Sequence, residues 1–210
     1  AQGYAQEMSA AQQKGLLNRD PAMVNRVKAI SQRIIAQVGV FRPDAQTWPW
    51  EVNVISKDEP NAYCMAGGKI AVYTGLITKL NATDDELAAV IAHEIAHALR
   101  EHGREKVSQA QLQGLGLAVL GAATKNEKRV DQAGQISTLF LTLPNSREME
   151  TEADAMGLEL MARAGYQPQA AVSLWQKMAR LGGTPPEFLS THPDPQNRIG
   201  VIQSLLPKVM

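Results

Sequence analysis

The stretch TDDELAAVIAHEIAHALREHG, residues 83–103, opens with a helix-start signal and then runs almost free of polar side chains. Thr83 and Glu86 have the spacing of a capping box, in which the hydroxyl takes a free N–H of the first turn and the carboxylate reaches back to the cap. From Leu87 to Leu99 every residue is Leu, Ala, Val or Ile except His93, Glu94 and His97. Burying an imidazolium or a carboxylate is costly unless a partner compensates it, so this trio needs an ion, a water or one another. Residues four apart share a helical face, and two imidazole nitrogens on that face can converge on one tetrahedral zinc. Glu94 projects beside that point, where a carboxylate can take a proton from the attacking water and hand it to a leaving amine. The spacing H-E-x-x-H therefore points to a zinc-dependent peptidase with one zinc per chain.

A catalytic zinc takes three protein ligands and keeps a position open, so a third ligand must come from elsewhere. The extension H-E-x-x-H-x-x-G-x-x-H would need Gly at 100 and His at 103, where the chain has Arg100 and Gly103. His102, one position out of register, reads as a helix C-terminal residue facing the dipole or solvent. The span Asn145 to Gly165 can be sorted at 100° per residue. Glu148, Glu152, Glu159 and Arg163 fall on a solvated face, whereas Glu150 and Asp154 fall with Gly157, Leu158 and Met161 on the apolar side. Two carboxylates on a buried face fit Glu150 as the third ligand and Asp154 as acceptor of a ligating histidine's free ring N–H. A structural role, pairing with Arg147 or Arg198, is the alternative.

The two segments together, His93-Glu94-Ile95-Ala96-His97 and Glu150-Thr151-Glu152-Ala153-Asp154, resemble the pattern H-E-x-x-H…E-x-E-A-D. It is that of the zinc metallopeptidase family containing HtpX, the CAAX prenyl endopeptidases, the mitochondrial Oma peptidase and the bacterial periplasmic peptidases BepA and LoiP. NAYCMAGGKIAV at 61–72 is similar to the family's N-A-F-x-x-P-G-G-x-I-x-V, and Ser190-Thr191-His192-Pro193 through Arg198-Ile199 to its S-T-H-P…R-I. The likeness covers roughly residues 20 to 206. The pattern of elements reads as a soluble α+β, mostly helical fold with a small β-sheet before the metal-binding helix, and the likeness makes it a zincin of the gluzincin type. The likeness implies that Asn61 and Ala62 border the cleft as an edge strand and bind an extended substrate. His192 and Arg198 would line the active site and steady the oxyanion and Glu150. It also implies work in cell-envelope quality control on unfolded or misassembled proteins, in a bacterial periplasm. Ala66 stands where the family has Pro, which leaves the local turn open. Cys64 reads as a small buried hydrophobe rather than a reactive thiol.

The remaining features set bounds. With 21 basic and 21 acidic residues the chain has no net field to gather nucleic acid, so none is expected as a partner. Ala1 rather than Met fits either a processed exported chain or a trimmed piece of a longer one. No run approaches the roughly 20 apolar residues of a membrane span. Leu112 to Ala123 is apolar enough for peripheral membrane contact or for core packing. Asp20-Pro21 starts a helix with apolar residues at helical spacing up to Gly39, and Glu51 to Ser56 and Lys69 to Thr74 alternate as strands. Helices are then expected from Thr83 to Gly103, Arg104 to about Thr142, Asn145 to Gly165, Pro168 to Leu181 and Pro195 to about Leu206. At 210 residues this makes one peptidase domain, 20–210, behind a helical extension, 1–19. A different class of function fits the same ligands: a metal-bearing chaperone or adaptor that holds misfolded clients without cutting them. Glu94 argues against it, because a structural site has no use for a base there.

Overall fold

The computed structural model describes residues 2–109, 144–181, 187–192 and 195–209. Helix α1 is Gln2–Gln13 and α2 is Pro21–Ile35. Asp20 caps α2 by accepting the N–H groups of Ala22 and Met23, with Pro21 in the first turn, where its missing N–H costs nothing. Val24, Val27, Ile30 and Ile34 form the buried stripe. The helix stops at Ile35, short of the expected Gly39: the chain tightens into a 3-10 turn, Val38–Val40, where the Gln46 side chain occupies the space a Cβ on Gly39 would need.

Strands β1 (Glu51–Ile55), β2 (Ala62–Met65) and β3 (Lys69–Tyr73) form a sheet in the order β1-β3-β2, with β1 parallel and β2 antiparallel to β3. The β2–β3 hairpin turns on Gly67 and Gly68, both at positive φ (84° and 80°), a conformation in which glycine is unstrained; the turn closes with Ala66 in the proline position. Alternation sends Val54, Ala62, Cys64, Ile70 and Val72 into the main core, and Ile55, Tyr63, Met65, Ala71 and Tyr73 into a second cluster with Tyr4, Met8 and Ala11 of α1. Glu7 of α1 accepts hydrogen bonds from Tyr63, Tyr73 and Lys57 and fixes that helix to the sheet. Leu16 to Asn18 run along the outer side of β1, through Asn18 N–H to Val54 O (2.8 Å) and Ser56 N–H to Leu16 O (2.8 Å). Strand β2 is the other edge.

A short helix that sequence periodicity does not show, α3 (Thr74–Lys79), leads to α4 (Asp84–Leu99). The capping box at Thr83 and Glu86 forms as expected, and every residue from Glu86 to Leu99 is buried. Leu87, Ile91 and Ile95 are each under 2 % exposed. Burial of such side chains contributes about 1.5–3 kcal/mol apiece, which offsets the cost of the polar trio they surround. Among the described residues the α+β, mostly helical fold also has helices α5 (Arg147–Arg163), α6 (Ala170–Ala179), α7 (Glu187–Thr191) and α8 (Pro195–Val209). Helices α4 and α5 cross closely at Gly157, where an added Cβ would lie 3.0 Å from the His93 backbone nitrogen. Residues 102–109 are helical; the rest of the helix expected up to Thr142, the apolar run Leu112 to Ala123 and the cap expected at Asp194 lie outside the described residues. Among the described residues no helix is long and apolar enough to cross a membrane.

Candidate metal centre

In the middle of α4 the rings of His93 and His97 meet with their Nε2 atoms 2.9 Å apart. The first turn of α5, capped by Ser146, brings Glu150 against both: Oε1 is 3.3 Å from His97 Nε2 and Oε2 is 3.4 Å from His93 Nε2. These are the three ligands expected from the helical faces, and all are at most 6 % exposed. Burial opposes the charge on Glu150, yet His192, His93 and His97 around it hold its carboxyl far below the usual range. Burial and the Arg198 charge push the His93 pKa down, but hydrogen bonding to Asp154 and Glu150 outweighs them and raises it. Burial and then the neighbouring His93 push His97 down.

The donor set fits a divalent cation. Two nitrogens about 2.05 Å from a tetrahedral ion stand roughly 3.3 Å apart, a few tenths of an ångström from what the rings show. One ligand atom from each of His93, His97, Glu150 and His192 falls within a 4.8 Å group. Glu94 Oε1, Glu150 Oε2 and Arg198 Nη1 are buried without a hydrogen bond of acceptable direction, even though Arg198 Nη1 lies 2.6 Å from Glu150 Oε2 and His192 Nε2 lies 3.2 Å from Glu94 Oε1. Buried carboxylate oxygens with spare acceptor capacity at a point of convergence are what a cation requires.

Glu94 sits on the open side. Burial raises its pKa, but His192 and the two histidines of α4 lower it further, so it is ionised as a base must be. His192 is aimed at it by the chain behind: its Nδ1 is 3.0 Å from Phe188 O and its ring stacks on Phe188 at 4.3 Å. Ala62, the first residue of edge strand β2, and Asn61 just before it line the same cleft with Tyr63, Glu94, His97 and His192.

Arg198 stands elsewhere. It reaches Asp154 through Nε (2.8 Å) and Nη2, approaches Glu150 through Nη1, and lies 3.8 Å over the Trp175 ring. Both the pairing of Glu150 with Arg198 and the grouping of Glu150 with the histidines thus occur at once. Asp154 Oδ1 and Arg198 Nη2 are each 3.1 Å from His93 Nδ1; the ring N–H goes to the carboxylate, since a guanidinium has no acceptor. Arg198 is behind the ligands, not on the cleft.

Four residues stand at or behind the site where the sequence gives no expectation of them. Asn145, just before the α5 cap, donates to Glu150 Oε1 at 2.5 Å and lies 3.4 Å from His97 Nε2. Lys106 is buried on the wall of the cleft. His102 is 3 % exposed rather than solvent-facing, with Nδ1 2.8 Å from His97 Nδ1, and Glu152 lies behind it. An asparagine beside a helix start was the one visible signal; nothing local marks the other three. Cys64 is buried in the main core, and burial followed by Glu94 pushes its thiol pKa well up, which makes it a packing residue.

The sequence model of Peptidase family M48 matches residues 21–206. Mitochondrial metalloendopeptidase OMA1 of Arabidopsis thaliana is 41% identical over 150 residues, covering 71% of this chain and 30% of that protein. Mitochondrial metalloendopeptidase OMA1 of Saccharomyces cerevisiae is 40% identical over 172 residues, 76% of this chain and 48% of that protein. Beta-barrel assembly-enhancing protease of Yersinia pestis is 30% identical over 207 residues, 93% of this chain and 41% of that protein. The chain spans between 30% and 48% of the length of these relatives. The expected bacterial periplasm is corrected by this order: proteins named as mitochondrial match at 41% and 40%, the bacterial one at 30%. Motif resemblance had pointed to periplasmic members because the shared motifs surround the metal and carry no information on compartment. With His93, His97 and Glu150 converging beside Glu94 and a match over nearly the whole sequence, the chain belongs to peptidase family M48.

Proposed function

We propose that this chain is a zinc-dependent endopeptidase acting on extended or unfolded protein segments, with one zinc held by His93, His97 and Glu150. The observation that carries the reading is the buried convergence of these donors beside an ionised Glu94. Two imidazoles and one carboxylate are a donor mixture suited to catalytic zinc. When bound, the ion supplies Lewis acidity toward a water and a substrate carbonyl.

The protein's own groups do the rest. Glu94 takes the proton of the attacking water and returns it to the leaving amine. His192 turns Nε2 toward Glu94 and the cleft, where it is placed to steady the negative charge developing on the carbonyl oxygen. Arg198 and Asp154 hold Glu150 and His93 in place. The carbonyl of Asn61, just before β2, accepts the Tyr73 N–H at 2.9 Å, so antiparallel alternation turns the backbone groups of Ala62 and Cys64 to the outer side, where the Asn61 side chain accepts the Ala62 N–H at 2.9 Å. An extended peptide can add there, and backbone pairing selects unfolded chains over particular sequences. This supports a role in protein quality control, as does the name of the bacterial relative, a beta-barrel assembly-enhancing protease. The same reading takes 20–210 as the peptidase domain and 1–19 as a helical extension, supported by the family match from residue 21.

His192 is also a fourth donor in the group, which favours the second reading, a closed site in a non-cleaving adaptor. Hydrolysis of unfolded casein by the purified chain, before chelation, after chelation and after zinc is restored, separates the two. Cleavage that follows zinc content and disappears in Glu94→Gln with the metal retained is the expected result. Folded, zinc-replete protein without turnover sinks the peptidase reading.

A further inference from the structure

Helix α4 ends at Leu99, and two residues later Glu101 takes a left-handed conformation, φ 57°. A non-glycine residue rarely adopts that φ unless its surroundings impose it. Arg42 imposes it, with Nη1 3.1 Å from Leu99 O and 2.9 Å from the Glu101 carboxylate. The turn folds His102 back beneath the helix, where its Nδ1 lies 2.8 Å from His97 Nδ1. On its far side, His102 Nε2 is 3.4 Å from Glu152 Oε2, and Arg100 holds that oxygen through Nε (2.8 Å) and Nη2 (2.7 Å).

A contact between two ring nitrogens accommodates one hydrogen. If His97 turns a bare Nε2 toward the centre, its Nδ1 carries the hydrogen and donates it to His102. His102 must then carry its own hydrogen on Nε2, directed at Glu152. We propose that His102 and Glu152 are positioning residues for His97, a chain that selects its tautomer and aims its Nε2. The proposal rests on His97 being a metal ligand, as argued above.

Two readouts test it, neither of them catalytic. In metal-free protein, 15N spectra of the imidazoles, with His97 assigned by its loss in His97→Gln, should show His97 protonated at Nδ1. His97 protonated at Nε2 overturns the chain. In competition with a chelator, His102→Ala should hold zinc roughly 10 to 100-fold more weakly than the parent. His102→Asn, whose amide oxygen takes the place of Nδ1 as an acceptor, should recover most of that loss. Glu152→Gln should weaken retention by roughly two- to fivefold, its contact being long and half-exposed. Glu159→Gln, on the exposed side of the same helix, is the control and should match the parent. Folded His102→Ala with parental zinc retention, or His102→Asn and His102→Ala equally weak, overturns the proposal. If His102→Ala does not fold, the parent's tautomer and the other two variants still decide. A parent that binds no zinc defeats the metal-site reading itself and is recognised before any variant is made.

Discussion

His93 and His97 stand one turn apart on the same helix and point to the same place, yet the protein holds them by different means. Behind His93 is a buried, charged assembly: Asp154 from α5 and Arg198 from α8, each at most 5 % exposed. Behind His97 is a ring from the next turn of the chain, His102, and then a carboxylate that is about half exposed, Glu152 (48%). Charge buried in a low-dielectric interior is stiff and costly to disturb, whereas a surface ion pair is screened and contributes little. One spacing motif thus has a rigid side and an adjustable side, and substitutions on the two sides should differ in kind.

The largest effect should come from Arg198→Ala, which leaves Glu150 and Asp154 buried without their guanidinium. Breaking such a buried pair costs about 3–5 kcal/mol. Urea unfolding of the metal-free protein measures it, and a loss below about 1 kcal/mol would show that the two sides are not different. Next, Asp154→Ala should weaken zinc retention by roughly 10 to 100-fold. The same carboxylate also predicts a pH effect. Burial raises its pKa, but Arg198 and then His93 bring it below the ordinary value, so its stabilisation is present above the unfolded-state value of about 3.9 and is lost as pH falls through the lower folded value. The metal-free parent should lose stability below about pH 4 more steeply than Asp154→Asn; equal slopes would remove Asp154 as a source of acid sensitivity.

Gly157→Ala tests the contact between α4 and α5 on which both sides depend. Alanine favours a helix over glycine by up to about 1 kcal/mol, but here its Cβ meets His93 backbone, which has little room to shift. Net destabilisation of about 1–2 kcal/mol is expected from thermal unfolding, and a stabilised variant would mean the crossing is looser than drawn. The smallest effect belongs to Glu152→Gln: with Arg100 and Glu152 49% and 48% exposed, metal-free stability should move by no more than about 0.5 kcal/mol. A larger shift would place structural weight on the adjustable side.

The same contrast explains which parts were readable. Thr83 and Glu86 form a bond pair within one turn, so the start of α4 is written in a four-residue pattern. His93, Glu94 and His97 stand out because their neighbours are all apolar, and Glu150 and Asp154 because a helical wheel depends on spacing alone. Strand β2 is buried on both faces and shows no alternation, so periodicity does not find it; α3 is too short to carry a period. His102 was misplaced by continuing α4 past Leu99, since an arginine 57 residues away, not a glycine or proline nearby, turns the chain. Glu152 was assigned to solvent correctly as a half-exposed residue, but its partners lie 50 and 52 positions earlier.

What the sequence alone determined was the helix bearing the H-E-x-x-H motif, the buried face of the helix carrying Glu150 and Asp154, and the chemistry that those residue types permit. These follow from periodicity and local hydrogen bonding, which act over a few residues. Tertiary structure decided what stands behind each side chain of the group: that Arg198 meets two carboxylates instead of the cleft, that His192 faces Glu94, and that His102 contacts His97. Those contacts join residues that are distant along the chain, apart from the last, which a single left-handed turn brings about. Only packing determines which distant groups meet, because burial and charge compensation are satisfied by the whole fold at once and leave no pattern in any one segment.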